Sequence, residues 1–351
     1  MITTGTARSG RRSGGIGILG TGSCLPSHVV TNDDVGAPAG VDDEWIRNKT
    51  GIRSRRRAKP DEATSDLAVV AGRAALEAAG ISASDLSLII VATSTPDSPQ
   101  PPTACVVADG LGAGAGAAAF DVNAVCSGFL FALNTAERIL DGSDSPYALV
   151  IGADIYSRIL NPADRRTAIL FGDGAGAVVL GPARPDRGLV AGRLASFGAD
   201  RDLIEVPGGG SRIPATAETL AAGLQYFTMN GRGVRDFVNT TVVPAIADFV
   251  REAGHDLDDI AHFVPHQANG RMLEDVSAAL GIPAARTRVT YEEFGNTGSA
   301  SVPVTLDHAV RGGALRDGDL VLLAGFGGGM AMGLSLLTWQ GSHPSHSTPH
   351  A

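Results

Sequence analysis

Short apolar runs alternate along this chain with longer Ala- and Leu-rich stretches. The runs GIGILG (15–20), LSLIIVATS (86–94), ALVIGA (148–153), GAVVLG (176–181), HFVPH (262–266), DLVLLAGF (319–326) and MGLSLLTW (332–339) predict strands. Most are apolar at successive positions, which implies strands covered on both faces, as in an α/β sheet. Helical spacing of apolar residues predicts helices over 64–80, 127–142, 240–254, 268–281 and 299–313. Thr64 or Ser65 can cap the first and Gly80 can end it, while Pro303 fits the first turn of the last.

The pattern also repeats. The helix at 127–140 and the strand at 148–153 recur at 299–312 and 320–325, both 172 residues further on. Each strand then leads through a Gly-rich turn into another apolar strand. A duplicated α/β unit with a pseudo-twofold axis is expected, with an N-terminal half at 15–186 and a C-terminal half at 187–340. Residues 1–14 and 341–351 are expected to be flexible ends, too poor in apolar side chains to pack.

At 351 residues the chain can bury a large core, and 44% hydrophobic with 19% charged residues places it among soluble globular proteins. A net charge of −9 and a pI near 5.3 argue against a broad nucleic-acid-binding face. The absence of any run of about 18 apolar residues argues against a membrane span. The first fifteen residues have no apolar core and do not read as a secretory signal. Cys24, Cys105 and Cys126 form neither a disulfide framework nor a zinc spacing, so no metal is expected and a reducing, cytoplasmic setting is.

Three polar residues stand where chemistry is built. Cys126, in DVNAVCSGFLFAL, directly precedes a strong amphipathic helix, where the dipole and free N–H groups favour a thiolate. Taken alone, a Cys is more often a small buried apolar residue, and that reading holds for Cys24 and Cys105. His266, in HFVPHQAN, ends a strand at the carboxyl edge of a sheet, where open α/β folds place their sites. Asn296, in FGNTGSAS, precedes the helix that mirrors the Cys126 helix, although an amide between glycines is also a plain turn former. The segment GFGGGMAMG (325–333) suggests backbone held close to a ligand, with N–H groups open to an oxyanion.

Together these segments resemble the ketoacyl-ACP synthase III family of condensing enzymes from about Gly15 to Trp339. The matching stretches are DEWIRNKTGIRSRR, VNAVCSGFLFAL, ILFGDGAGAVVL, VPHQAN, FGNTGSAS and GFGGGM, in the family's order. The resemblance implies a thiolase fold, with duplicated α/β halves in a layered α-β-α-β-α architecture. It implies that Cys126 takes an acyl group from acyl-CoA and that His266 and Asn296 stabilise the enolate formed as a malonyl thioester, on acyl carrier protein or CoA, loses carbon dioxide. Gly328 and Cys126 N–H groups would form the oxyanion hole, and Phe326 would line the malonyl carboxylate site. Trp45, Lys49, Arg165, Gly231, Asn269 and Arg271 match the CoA and pantetheine tunnel. No cofactor is implied, and a homodimer is, with Gln100 near the acyl pocket that a partner subunit completes.

The departures point away from fatty-acid initiation. Lys49 replaces an Arg fork, and Asp236, Ala278 and Ala279 stand where basic residues meet a carrier protein. A specialised pathway such as polyketide priming fits better. The alternative enzyme is an acyltransferase passing the Cys126 acyl group to a hydroxyl or amine. A non-catalytic partner subunit would have lost its nucleophile, and a thiolase would carry a second Cys near GFGGG. GIGILG matches a dinucleotide motif but lacks the following helix. The Arg residues at 53, 55, 56 and 57 read either as a solvated turn or as a contact for CoA phosphates or a carrier protein.

Overall fold

A computed structural model describes residues 15–114, 116–141 and 146–341. The ends expected to be flexible lie outside these residues, apart from Gly341. Nine strands build two sheets: β1 Ile16–Cys24, β2 Leu86–Ala92, β3 Ala118–Val122, β4 Tyr147–Asp154, β5 Gly174–Pro182, β6 Gly188–Ser196, β7 His262–Pro265, β8 Leu320–Gly327 and β9 Ala331–Thr338. The first sheet runs β1-β5-β4-β2-β3 and the second β6-β9-β8-β7. In both, the strands towards one edge pair in parallel (β4 with β2 and β2 with β3; β8 with β7) and those towards the other edge antiparallel (β1 with β5 and β5 with β4; β6 with β9 and β9 with β8). A single parallel bridge from Phe263 to Thr287 stands where β3 would be repeated. The duplication expected from the sequence is therefore present in topology as well as in spacing.

Eight helices matter for the site: α1 Asp43–Thr50, α2 Thr64–Ala79, α3 Thr103–Leu111, α4 Gly128–Leu140, α5 Gly231–Phe237, α6 Val243–Glu252, α7 Gly270–Leu280 and α8 Ser301–Arg311. Helices α4 and α8 lie between the sheets, which is why Phe129, Leu130, Leu133, Val302 and Leu306 are all fully buried. Strand alternation feeds separate cores: Leu88 and Ile90 of β2 point to this central layer, while Ile89 and Val91 point outward to α2 and α3. On the far sheet Val321 and Leu323 face inward, and Leu322 joins Ile246 and Phe249 of α6. The result is five layers, α-β-α-β-α. Among the described residues no helix is long and apolar enough to cross a membrane.

Local departures have local causes. Helix α2 starts at Thr64, but neither Thr64 nor Ser65 caps it; the Asp66 carboxylate accepts from Ala63 N–H instead, at 2.8 Å. Gly80 ends it in the left-handed conformation, as expected. The helix expected at 240–254 begins at Gly231 and passes through a π turn at Val238–Val242. That widened register precedes Pro244, which has no N–H for a regular ladder. Strands β3 and β6 were not foreseen; β6 (GLVAGRLAS) is half exposed and rich in small residues, so it carries little apolar signal. The Arg run is neither solvated turn nor ligand patch at its centre. Arg55 is fully buried, donating to Asn32 Oδ1 at 2.8 Å and to the Ile169 carbonyl at 2.6 Å.

Candidate active site

The chain enters α4 through a single tight turn, Val125–Ser127. Val125 has φ 47°, a left-handed conformation that a β-branched residue adopts at a cost of roughly 1–3 kcal/mol. The turn is held by its neighbours: Ser127 Oγ donates to the Ala331 carbonyl at 2.9 Å, and Asn123 Oδ1 accepts from Val125 N–H at 3.2 Å. Cys126 follows directly, 5% exposed. Beneath it runs the end of β8, and only glycine fits there. A Cβ on Gly327 would stand 2.6 Å from Cys126 Cβ and 2.8 Å from Sγ.

The expectation of a ready thiolate is overturned. Burial, reinforced by the charge of Asp154, pushes the Cys126 thiol up to about 12. The backbone N–H groups of Gly328 and of Cys126 itself work in the opposite direction. They do not win, because a withdrawn sulfur loses more hydration than two dipoles return. The same two N–H groups are those expected to meet an oxyanion.

His266 leaves the end of β7, with 2% exposure, and burial pushes its imidazole down to about 3, so it is neutral. Its Nδ1 lies 2.7 Å from Ser301 Oγ, which also accepts from Gln267 N–H at 3.3 Å. Among the described residues the Ser301 hydroxyl meets no acceptor other than Nδ1, and giving Nδ1 that proton assigns the imidazole hydrogen to Nε2. Asn296 Oδ1 accepts from Gly298 N–H at 2.9 Å, which commits the amide oxygen and leaves Nδ2 as a donor. Its backbone bonds to Leu170 and Gly172 at 2.8 and 3.0 Å, fixing the turn independently of the side chain. The Phe326 ring stands edge-on to His266, with centroids 5.7 Å apart.

Cys126, His266, Asn296 and Phe326 line one cavity of about 980 Å³. Of the residues expected along a tunnel, Trp45, Lys49, Arg165, Gly231 and Asn269 line it too. The Arg165 guanidinium lies over the Trp45 ring at 5.8 Å. Lys49, Arg165, Arg166, Arg232 and Arg235 give the cavity lining five cations, against the carboxylates Asp164 and Asp202. Arg271 lies off the cavity; it donates to the Asn48 carbonyl and pairs with Glu274 at 3.0 Å, tying α7 to the end of α1. Gln100 is exposed and also lies off the cavity of this single chain.

Sequence reasoning passed over several residues. Ser301 orients His266, yet a Ser inside a predicted helix gives no such signal. Phe171 and Phe227 line the cavity beside the buried Tyr156, whose ring stacks on Phe171 at 4.5 Å. These three lie far apart in sequence, so only the fold brings them together.

Comparison with known proteins gives a consistent picture. Family models for 3-oxoacyl-[acyl-carrier-protein] synthase III match residues 120–198 and, for its C-terminal part, 250–339. The acetoacetyl CoA synthase NphT7 of Streptomyces sp. strain CL190 is 60% identical over 324 residues, covering 92% of this chain and 98% of that protein. The crystal structure of FabH, a 3-oxoacyl-(acyl carrier protein) synthase III from Pseudomonas aeruginosa PAO1, superposes with a TM-score of 0.85 at 38% identity, covering 94% of this chain and all of that one. The priming β-ketosynthase of the R1128 polyketide pathway gives a TM-score of 0.86 at 33% identity, over 96% and 100% of the two chains.

Proposed function

The chain belongs to the 3-oxoacyl-[acyl-carrier-protein] synthase III family of thiolase-fold, acyl-transferring condensing enzymes, and from that premise we propose that it joins a short acyl group to malonyl-CoA, releasing a 3-oxoacyl-CoA. The observation that carries the reading is the convergence of Cys126, His266 and Asn296 on one cavity with a cationic lining. In the first step the Cys126 sulfur attacks the acyl-CoA carbonyl, and Gly328 and Cys126 N–H groups stabilise the tetrahedral oxyanion. The C–S bond to CoA breaks, and the thiol proton leaves with the CoA sulfur. Transfer is thus proton-neutral, which suits a nucleophile that is protonated at rest.

In the second step the malonyl thioester carbonyl accepts from His266 Nε2–H and Asn296 Nδ2–H. The bond to its carboxylate breaks, carbon dioxide leaves, and the electron pair forms an enolate held by those two donors. Phe326 walls the carboxylate, where low polarity favours loss of its charge. The enolate carbon attacks the acyl carbonyl on Cys126, and the thiolate departs and takes a proton. The protein's own groups suffice, with no metal or redox cofactor.

CoA as carrier is supported by the charge distribution. The lining cations suit the phosphates of CoA, whereas the exposed face of α7 presents Glu274, Asp275, Ala278 and Ala279, a poor match for an acidic carrier protein. The 60% relative named as an acetoacetyl CoA synthase points to acetyl-CoA as starter. We also assign a homodimer, in which the loop of Gln100 closes the acyl pocket of the partner, and a role in a specialised acyl or polyketide pathway. Incubation with acetyl-CoA and either malonyl-CoA or malonyl carrier protein, followed by product mass, tests the reading. Acetoacetyl-CoA is expected; product formed only on the carrier protein would reject the CoA assignment.

A further inference from the structure

Asp154 ends β4 fully buried, and nothing in the steps above uses it. Among the described residues its hydrogen-bond partners are all neutral. Oδ1 accepts from Ser94 N–H at 2.8 Å, with the hydroxyls of Thr93, Ser94 and Thr95 at 3.1–3.2 Å. Oδ2 accepts from Ser299 N–H at 2.7 Å and lies 2.7 Å from Ser299 Oγ, whose proton it shares with the Ala92 carbonyl at 2.8 Å. A buried carboxylate without a cationic partner is costly, and burial pushes its carboxyl up. Six converging hydrogen-bond contacts offset that cost, which makes the site a built one.

The two oxygens reach into different parts of the fold. Thr93, Ser94 and Thr95 extend from the end of β2 in the first sheet, whereas Ser299 sits in the turn Gly298–Ala300 that opens α8. Asn296 lies three residues before Ser299, and Ser301, which orients His266, lies two residues after it. Gly298 N–H fixes the Asn296 amide, and Gly298 itself has φ +60° with Asp154 Oδ2 and the Tyr156 ring pressed against the place a Cβ would take. Gly152 of β4 likewise leaves room for the Ser299 carbonyl. The turn is therefore clamped between β4 and its carboxylate. On the other side Ser94 Oγ lies 3.0 Å from the Tyr156 hydroxyl, whose ring borders the aromatic wall of the cavity.

We infer that Asp154 is a positioning residue for the decarboxylation step: its carboxylate clamps the turn that carries Asn296 and, through Ser301, sets His266, so that both enolate donors keep their register against Cys126. The inference rests on the condensing reading above. Asn at this position offers one oxygen for two sets of donors, so either Ser94 N–H or Ser299 N–H must face an NH₂ group. Ser299→Ala removes the hydroxyl shared between Asp154 and the Ala92 carbonyl and keeps the charge.

The test compares wild type, Asp154→Asn and Ser299→Ala in three assays: Cys126 acylation by acetyl-CoA, read by intact mass; labelled carbon dioxide release from malonyl-CoA; and iodoacetamide alkylation of Cys126 against pH. Asp154→Asn should lose about 10–100-fold in kcat for decarboxylation, the scale expected of a small donor displacement. Its KM for malonyl-CoA should stay within about threefold and its acylation should persist. Its alkylation profile should move to lower pH, because the charge of Asp154, which helps to hold the thiol up, is gone. Ser299→Ala should lose about 3–10-fold in the same step with the alkylation profile unmoved, and it carries the test if Asp154→Asn does not fold. Wild-type decarboxylation rates in both variants, or acylation and decarboxylation falling in proportion with the melting temperature, would overturn the inference. Wild-type enzyme that releases no carbon dioxide would instead reject the condensing reading, while the alkylation shift would still report whether Asp154 faces the nucleophile.

Discussion

A single methyl group added at Gly327 should disable the nucleophile by crowding it, with every catalytic side chain left in place. The added Cβ would lie 2.6 Å from Cys126 Cβ and 2.8 Å from Sγ, against about 3.5–4.0 Å for relaxed carbon contacts. About 1 Å must therefore be found. The backbone raises no objection of its own, since Gly327 is not among the positive-φ residues and pairs with Ala331 in an ordinary hairpin. Cys126 cannot retreat, because Val125 is already held at φ 47° and Ser127 is bonded to the Ala331 carbonyl. Either the hairpin or the thiol moves. Overpacking of this kind costs about 1–3 kcal/mol, a shift of a few degrees in melting temperature for a chain of this size. A nucleophile displaced by about 1 Å loses on the order of 100-fold in rate. Single-turnover acylation by acetyl-CoA, followed by intact mass, and a thermal melt read both effects. Gly198→Ala, where a Cβ meets nothing within 4 Å, is the control and should match wild type. Gly327→Ala acylating at the wild-type rate with an unchanged melt would refute the packing argument.

Other expectations follow from the same geometry. Cys126→Ala should abolish the acyl adduct, while Cys24→Ala and Cys105→Ala keep it; adducts persisting without Cys126 would remove it as nucleophile. In the unliganded enzyme exposed Cys105 should react with iodoacetamide at pH 7.5 well before buried Cys126, whose thiol is held up to about 12; equal rates would contradict the desolvation argument. His266 titrates near 3 in the fold and near 6.5 when unfolded, so the unfolded chain binds more protons between those values and stability falls as pH drops through 6.5. The urea midpoint of wild type should therefore fall on acidification more than that of His266→Gln, while decarboxylation shows no acid limb at the usual imidazole pH. Light scattering at micromolar concentration should give a homodimer; a fully active monomer would exclude the shared pocket near Gln100.

The sequence made the site legible through order and spacing, and the fold through repetition. Equal offsets of helix and strand anticipated two equivalent sheets, and the observed helix starts, Gly128 and Ser301, and strand starts, Tyr147 and Leu320, are 173 residues apart in both cases. Cys126, His266 and Asn296 were each visible because each stands at the end of a strong periodic element. What stayed hidden depends on three-dimensional closeness. Nothing in YEEFGNTGSAS says that Ser301 meets a His 35 residues earlier, or that Ser299 meets a carboxylate 145 residues earlier. The thiol was misjudged for a related reason: a helix terminus can be read from sequence, but the depth at which it is buried cannot. Arg55 was misjudged likewise, since a run of arginines signals charge and not the buried carbonyl that one of them serves.

The most direct measurement of the central claim is labelled carbon dioxide release from malonyl-CoA by wild type and Asn296→Ala, each first acylated on Cys126 and verified by mass. Backbone bonds to Leu170 and Gly172 hold the Asn296 turn without its side chain, so the variant should fold and accept the acyl group. The account predicts one carbon dioxide per 3-oxoacyl thioester from wild type, and a loss of roughly 10²–10³ in that rate for Asn296→Ala, the usual cost of one oxyanion donor. Wild type that is acylated on Cys126, releases no carbon dioxide and passes the acyl group to an alcohol or amine would contradict it.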